Sequence, residues 1–156
     1  MVEGRISDAV EQVIANICRA DARYPDPGKF LGYGTAGYRA KASLLNRCFF
    51  RVGLVVAMRS RCAGRCGVMV TASHNHHADN GVKIVESDGS MLVGPWESFS
   101  ELIVNSADLA ETLRSVPASG VVDMVDDVDG LFGVTRTLEE SRLVEVIMAM
   151  DTRGSS

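Results

Sequence analysis

The chain has 156 residues, enough for one domain with its own core. Its 16 basic and 20 acidic residues leave a net charge of −4, which removes any general attraction to nucleic acid or to an anionic membrane but not to a small anion held at a locally positive site. No apolar run is long enough to span a bilayer, and the stretch after Met1 is studded with acids and lacks the apolar core of an export signal, so a cytoplasmic protein is expected. The four cysteines, Cys18, Cys48, Cys62 and Cys66, then read as reduced, buried thiols, and the C-x-x-x-C pair lacks the second ligand pair of a zinc site.

In chain order, Val10, Val13, Ile14 and Ile17 fall at helical spacing and predict a helix over about residues 3–20, broken by Pro25 and Pro27. A glycine-rich loop, Gly32 to Arg39, follows. Leu44, Leu45, Phe49, Val52, Val55, Val56 and Met58 predict a well-buried helix over 44–62. Cys66 to Val70 has the short, apolar look of a buried strand and runs into Thr71-Ala72-Ser73-His74-Asn75. Val82 to Val85 predicts another strand, with a turn at Asp88-Gly89. Pro95 suits the first position of a helix over 95–106, and a short helix is expected over 107–115. Asp123 to Gly130 reads as an acidic loop. Leu143 to Met150 reads as a strand, with a helix also compatible with the pattern, and feeds Asp151-Thr152-Arg153. Helices alternating with apolar strands give the α/β class, with layered helices around a mixed sheet.

Several constellations carry possible chemistry. Ser73 lies just past a buried strand, where ligands gather in open α/β sheets, and small polar neighbours expose N–H groups to an anion; on spacing alone the segment reads equally as a polar β-turn. A Ser73–His74 hydrolase pair is disfavoured, because adjacent residues rarely present a nucleophile to its base and no G-x-S-x-G elbow is present. His74, His76, His77 and Asp79 read as a solvated turn in preference to a metal cluster. Gly32, Gly34 and Gly37 match G-x-G-x-x-G, but no strand precedes them and no ribose-binding acid follows, so they read as a tight loop aiming Arg39. An EF-hand register on Asp127, Asp129 and Gly130 puts Val125 and Arg136 at ligand positions, which excludes calcium. Lys83 lies in a strand whose neighbours Val82 and Ile84 face the other way; alone it reads as a solvated strand lysine.

As a set, Gly34-Thr35-Ala36-Gly37-Tyr38-Arg39, Thr71 to Asn75, Asp79-Asn80-Gly81-Val82-Lys83 and Asp151-Thr152-Arg153 resemble the first domain of the α-D-phosphohexomutase family, over roughly residues 5–156. The order of the segments, Thr35-Ala36-Gly37, Met91-Leu92 and Pro95-Trp96-Glu97 are similar to the branch acting on N-acetylglucosamine phosphates; sister enzymes of glucose or mannose phosphates are the alternative. The resemblance implies a phosphoserine at Ser73 and isomerisation by two phosphoryl transfers through a bisphosphate. It implies His74, Lys83 and Arg39 as catalytic groups that move protons or stabilise charge, and Thr71, Asn75 and Arg153 as phosphate-binding residues. It also implies Mg²⁺, held through the phosphate on Ser73 with its other ligands outside this chain.

Two positions depart from the family pattern, His76 and Gly154 standing where proline is usual, each losing a fixed φ. The resemblance further implies that residues 1–156 form the first of four domains, cut short at the C-terminal end, and inactive alone. A non-catalytic remnant or a phosphate-binding module is the rival reading.

Overall fold

The computed structural model describes residues 6–116, 131–132 and 145–151. Ser7 caps helix α1 (Asp8–Asp21), its hydroxyl accepting from Val10 N–H, and Val10 and Ile14 are fully buried. Strand β1 (Tyr38–Lys41) leads through a 3₁₀ turn into helix α2 (Asn46–Ala63), which ends at Gly64 with φ +80°. Strands β2 (Arg65–Val70) and β3 (Asp79–Val85) flank the serine loop. Helix α3 (Gly94–Val104) begins with Pro95 in its first turn, helix α4 (Leu109–Arg114) is capped by Asp108, and strand β4 spans Glu145–Met150.

The four strands form one mixed sheet in the order β1-β3-β2-β4, antiparallel except for the parallel β2–β4 pair. Cys66, Val68 and Val70 of β2 and Val82 and Ile84 of β3 are buried on one face, against α2. The other face carries Arg39, Lys83 and Met69. Strand β4 pairs with β2 along its whole length, yet Val146, Ile147, Met148 and Met150 stay 46–66% exposed.

Sequence pattern and structure agree on the α/β class and on most elements. Strand β1 is a correction: residues 38–39 were expected in a loop, but Tyr38 to Lys41 pair with Val82 to Asp79. Four residues with one buried anchor, Tyr38, are too short to register as alternation. Strand β3 also starts at Asp79, three residues before the expected start. The strand reading of 143–150, not the helical one, holds for Glu145–Met150. The acidic loop 123–130 lies outside the described residues.

Three helices meet at a buried ion pair that periodicity cannot show. Arg51 of α2 donates from Nε and Nη2 to the two carboxylate oxygens of Asp21, both at 2.9 Å. Its Nη1 caps the end of α3, donating to the carbonyls of Ile103, Val104 and Ser106 at 3.2, 3.0 and 2.8 Å. Arg47 adds a second cation to Asp21 at 2.8 Å.

All four cysteines are free thiols, Cys48 and Cys66 buried and the other two half-buried. Burial pushes the Cys48 thiol up to about 12 and the Cys66 thiol to about 11, and it also raises Cys18 and Cys62. At pH 8 the folded chain is therefore expected to resist iodoacetamide over a period that alkylates all four thiols in urea, as intact mass would count. Rapid alkylation of the folded chain would contradict this packing.

Candidate functional site

The site grows from two glycine-dependent close approaches. Gly34 and Gly37 close a tight turn, with Gly37 N–H donating to Gly34 O at 2.7 Å. Gly37 has φ +71°, and a Cβ there would lie 2.2 Å from Val82 O and 2.7 Å from Lys83 Cβ. This turn launches β1 directly against β3 and puts Arg39 second in the strand, the aiming role expected of the glycine loop. Tyr33 and Tyr38, stacked edge to face at 4.9 Å, secure the same corner. The Tyr33 hydroxyl accepts from Ile84 N–H at 2.9 Å where β1 no longer covers the edge of β3, and Tyr38 shares a 2.8 Å hydroxyl bond with Ser100.

The second approach is at Gly81. Its Cβ would meet Tyr38 O at 2.7 Å, Arg39 Cγ at 3.0 Å and Thr71 O at 3.0 Å. Arg39 pairs with Gly81 across β1–β3, and Thr71 N–H donates to Gly81 O at 3.0 Å, one step beyond the Val70–Val82 pair. The parallel pair continues likewise: Asp151 N–H donates to Val70 O at 3.2 Å, and the Thr71 hydroxyl donates to Asp151 Oδ2 at 2.9 Å. Arg39, Gly81, Thr71 and Asp151 thus form one row across all four strands. It lies at the carboxyl ends of the parallel pair and on the face opposite α2. The glycine of Asn80-Gly81 is explained by this crowding.

From the row the chain rises into the serine loop. Ala72 is fully buried and anchors it; Asn75 N–H donates to Ala72 O at 2.8 Å, closing a turn on which Ser73, His74 and Asn75 are exposed. Arg39 Nη1 reaches from β1 to Asn75 Oδ1 at 2.7 Å. Lys83 sits two residues beyond Gly81 in β3, on the same open face and paired with Met69.

The structure therefore brings Arg39 into contact with the serine loop, puts Lys83 on the same sheet face, and leaves Ser73 and His74 exposed above the row. Arg153 lies outside the described residues. His76 and His77 stack on each other at 4.0 Å, and His76 Nδ1 accepts from Ala78 N–H at 3.2 Å, so the first of them serves the loop's own fold. Among the described residues no three His, Cys, Asp or Glu side chains gather as a metal site. Asp151 was visible only as part of a motif; its contact with Thr71 depends on the parallel pairing of segments 80 residues apart.

The fold is that of the first α/β/α domain of the phosphohexomutases, with a serine-bearing loop at the sheet's carboxyl edge. The family model for phosphoglucomutase/phosphomannomutase α/β/α domain I matches residues 52–108. The phosphoacetylglucosamine mutase of Sus scrofa is 39% identical over 127 residues, covering 80% of this chain and 23% of that protein. A crystal structure of N-acetylglucosamine-phosphate mutase in its substrate complex, a member of the α-D-phosphohexomutase superfamily, superposes with a TM-score of 0.73 at 32% identity, over 97% of this chain and 26% of the other. Aspergillus fumigatus N-acetylphosphoglucosamine mutase, in complex with GlcNAc-6P and magnesium, gives 0.66 at 36% identity, over 96% and 24%. The chain belongs to the α-D-phosphohexomutase superfamily, and the Sus scrofa relative carries the name phosphoacetylglucosamine mutase. It spans about a quarter of the length of the curated relatives it matches.

Proposed function

We propose that residues 1–156 are the phosphoserine domain of a phosphoacetylglucosamine mutase, which interconverts the 6- and 1-phosphates of N-acetylglucosamine on the route to UDP-N-acetylglucosamine in the cytoplasm. The observation that carries this reading is the exposed turn bearing Ser73, which leaves the row at Thr71 and is tied back to it by the Arg39–Asn75 bond, in a chain whose relatives carry that name. Phosphorylated Ser73 gives its phosphoryl group to the free hydroxyl of a hexosamine monophosphate and recovers one from the other end of the bisphosphate. Such a transfer is mainly a matter of positioning and charge stabilisation. Arg39 supplies fixed positive charge beside the loop, while His74 and Lys83 supply the proton transfers that free and recapture the sugar hydroxyl's proton. Asn75 frames the phosphate from the loop, Thr71 holds the point where that loop leaves the sheet, and Arg153 is assigned to bind the phosphate. The phosphate on Ser73 would hold Mg²⁺, which would supply charge neutralisation there.

The test is a graft. Residues 1–156 replace the corresponding segment of the Sus scrofa enzyme, and conversion of N-acetylglucosamine 6-phosphate to the 1-phosphate is measured with Mg²⁺ and a bisphosphate primer. The graft is expected to turn over, with phosphopeptide mapping placing phosphate on Ser73, and Ser73→Ala is expected to lower kcat by at least about 10³-fold. The 156-residue chain alone is expected to show no turnover. An active Ser73→Ala graft, or phosphate on a different hydroxyl, would overturn the assignment.

A further inference from the structure

The loop that bears Ser73 leaves the sheet from β2, an interior strand, and is held from both edge strands. On one side Arg39 of β1 donates to Asn75 Oδ1 at 2.7 Å. On the other, Asp151, the residue that follows β4, accepts the Thr71 hydroxyl at 2.9 Å while its own N–H closes the ladder to Val70 O. Thr71 is then engaged through both of its donors, the N–H to Gly81 O and the hydroxyl to Asp151. A hydroxyl has one proton to give, so in this arrangement the Thr71 side chain has none left for a phosphate oxygen.

We infer that Asp151 is a positioning residue for phosphoryl transfer: its carboxylate acts through the Thr71 hydroxyl to fix where the Ser73 loop leaves the sheet. This rests on the phosphoserine reading of Ser73. The requirement is geometric. The loop is short and exposed, and its anchor, Ala72, has no side chain beyond Cβ. A carboxylate accepting a hydroxyl bond on a half-buried sheet edge is stronger than a neutral pair and restricts the Thr71 rotamer from which the loop rises. A displacement of about 1 Å at the reacting oxygen is enough to cost on the order of 10²-fold in rate. The device also makes the serine loop depend on β4, whose side chains are largely exposed and which is held chiefly through its pairing with β2.

The first arm of the test uses the whole 156-residue chain without substrate and reads amide hydrogen exchange across residues 72–77. Asp151→Ala and Thr71→Val are each expected to speed exchange of the Asn75 amide, which closes the turn, by roughly tenfold, and the double variant is expected to add no more. Asp151→Asn and Thr71→Ser, which keep an acceptor and a hydroxyl, are expected to stay within about twofold of the parent. Amides of β3 report that the sheet is intact. Thr71→Val keeps Asp151 and nearly the same side-chain volume, so it reads the loop even if Asp151→Ala frees β4. Unchanged exchange in Thr71→Val, additive effects in the double variant, or Asp151→Asn as fast as Asp151→Ala would each overturn the inference.

The second arm measures the grafted enzyme. Asp151→Ala is expected to lower kcat about 10²-fold with KM for the hexosamine phosphate within about twofold, and Asp151→Asn is expected to restore most of it. A change confined to KM would overturn the positioning role. An inactive parent graft beside the expected exchange pattern would instead count against the mutase reading, so the two failures are distinguishable.

Discussion

Asp21→Ala is expected to destabilise the chain by about 3–5 kcal/mol, a large share of the stability of a domain this size. The Arg51 side chain is 3% exposed, and its guanidinium spans from the end of α1 to the last turn of α3. Removing the carboxylate leaves that cation buried beside three carbonyls that cannot neutralise it. The cost is set by the stranded charge more than by the lost bonds. Asp21→Asn is expected to cost less, since its oxygen still accepts one guanidinium bond. Urea unfolding followed by far-UV circular dichroism measures both; a loss below about 1 kcal/mol for Asp21→Ala would mean that Arg51 finds water or another anion.

The same pair gives an acid limb to stability. Burial pushes the Asp21 carboxyl up, but hydrogen bonds and charge from Arg51 and Arg47 outweigh it, and the net pKa lies below the ordinary value. A depressed folded-state value means that the contribution is complete above the unfolded carboxyl's pKa of about 3.9 and is lost as pH falls through the lower folded-state value. Asp21→Asn should flatten that limb.

Gly37→Ala is the second large effect, on the order of 3–4 kcal/mol. Two penalties combine: a φ of +71° that a side chain disfavours, and a Cβ 2.2 Å from the backbone oxygen of Val82. The clash is with strand backbone, so relief requires β1 to move off β3, and Arg39 moves with it. Gly81→Ala should act on the same site by space alone, through Tyr38 O, Arg39 Cγ and Thr71 O. Gly34→Ala is the control, because a Cβ there meets nothing within 4 Å. Denaturant midpoints separate the three; a Gly37→Ala variant as stable as Gly34→Ala would refute the close approach.

These glycines mark the boundary between what the sequence displays and what the fold adds. Gly37 and Gly81 stand in motifs that the sequence displays, but what makes each one necessary is a neighbour 40 or more positions away: Val82 for Gly37, Tyr38 and Arg39 for Gly81. The helices were legible because Val10, Ile14, Val52, Val55 and Val56 recur at helical spacing and are all buried. Strand β2 was legible as an unbroken apolar run. Strand β1 was not, because Arg39 and Lys41 alternate with only one fully buried residue. Within the site, Ser73, His74 and Asn75 could be placed on a loop from local pattern, and Lys83 on the face opposite Val82 and Ile84. The Arg39–Asn75 and Thr71–Asp151 contacts depend on strand order and register, which local pattern does not encode. The Asp21–Arg51 pair was invisible for the same reason, since an acid at a helix end and an arginine within another look like ordinary surface residues until the helices are packed.

The quiet thiols have a practical side. With the four native sulfurs held largely protonated at neutral pH, a cysteine introduced at the exposed Ser73 position becomes the fastest-reacting sulfur in the molecule. A fluorophore or spin label placed there would report loop motion from one defined point, with no need to strip the background first.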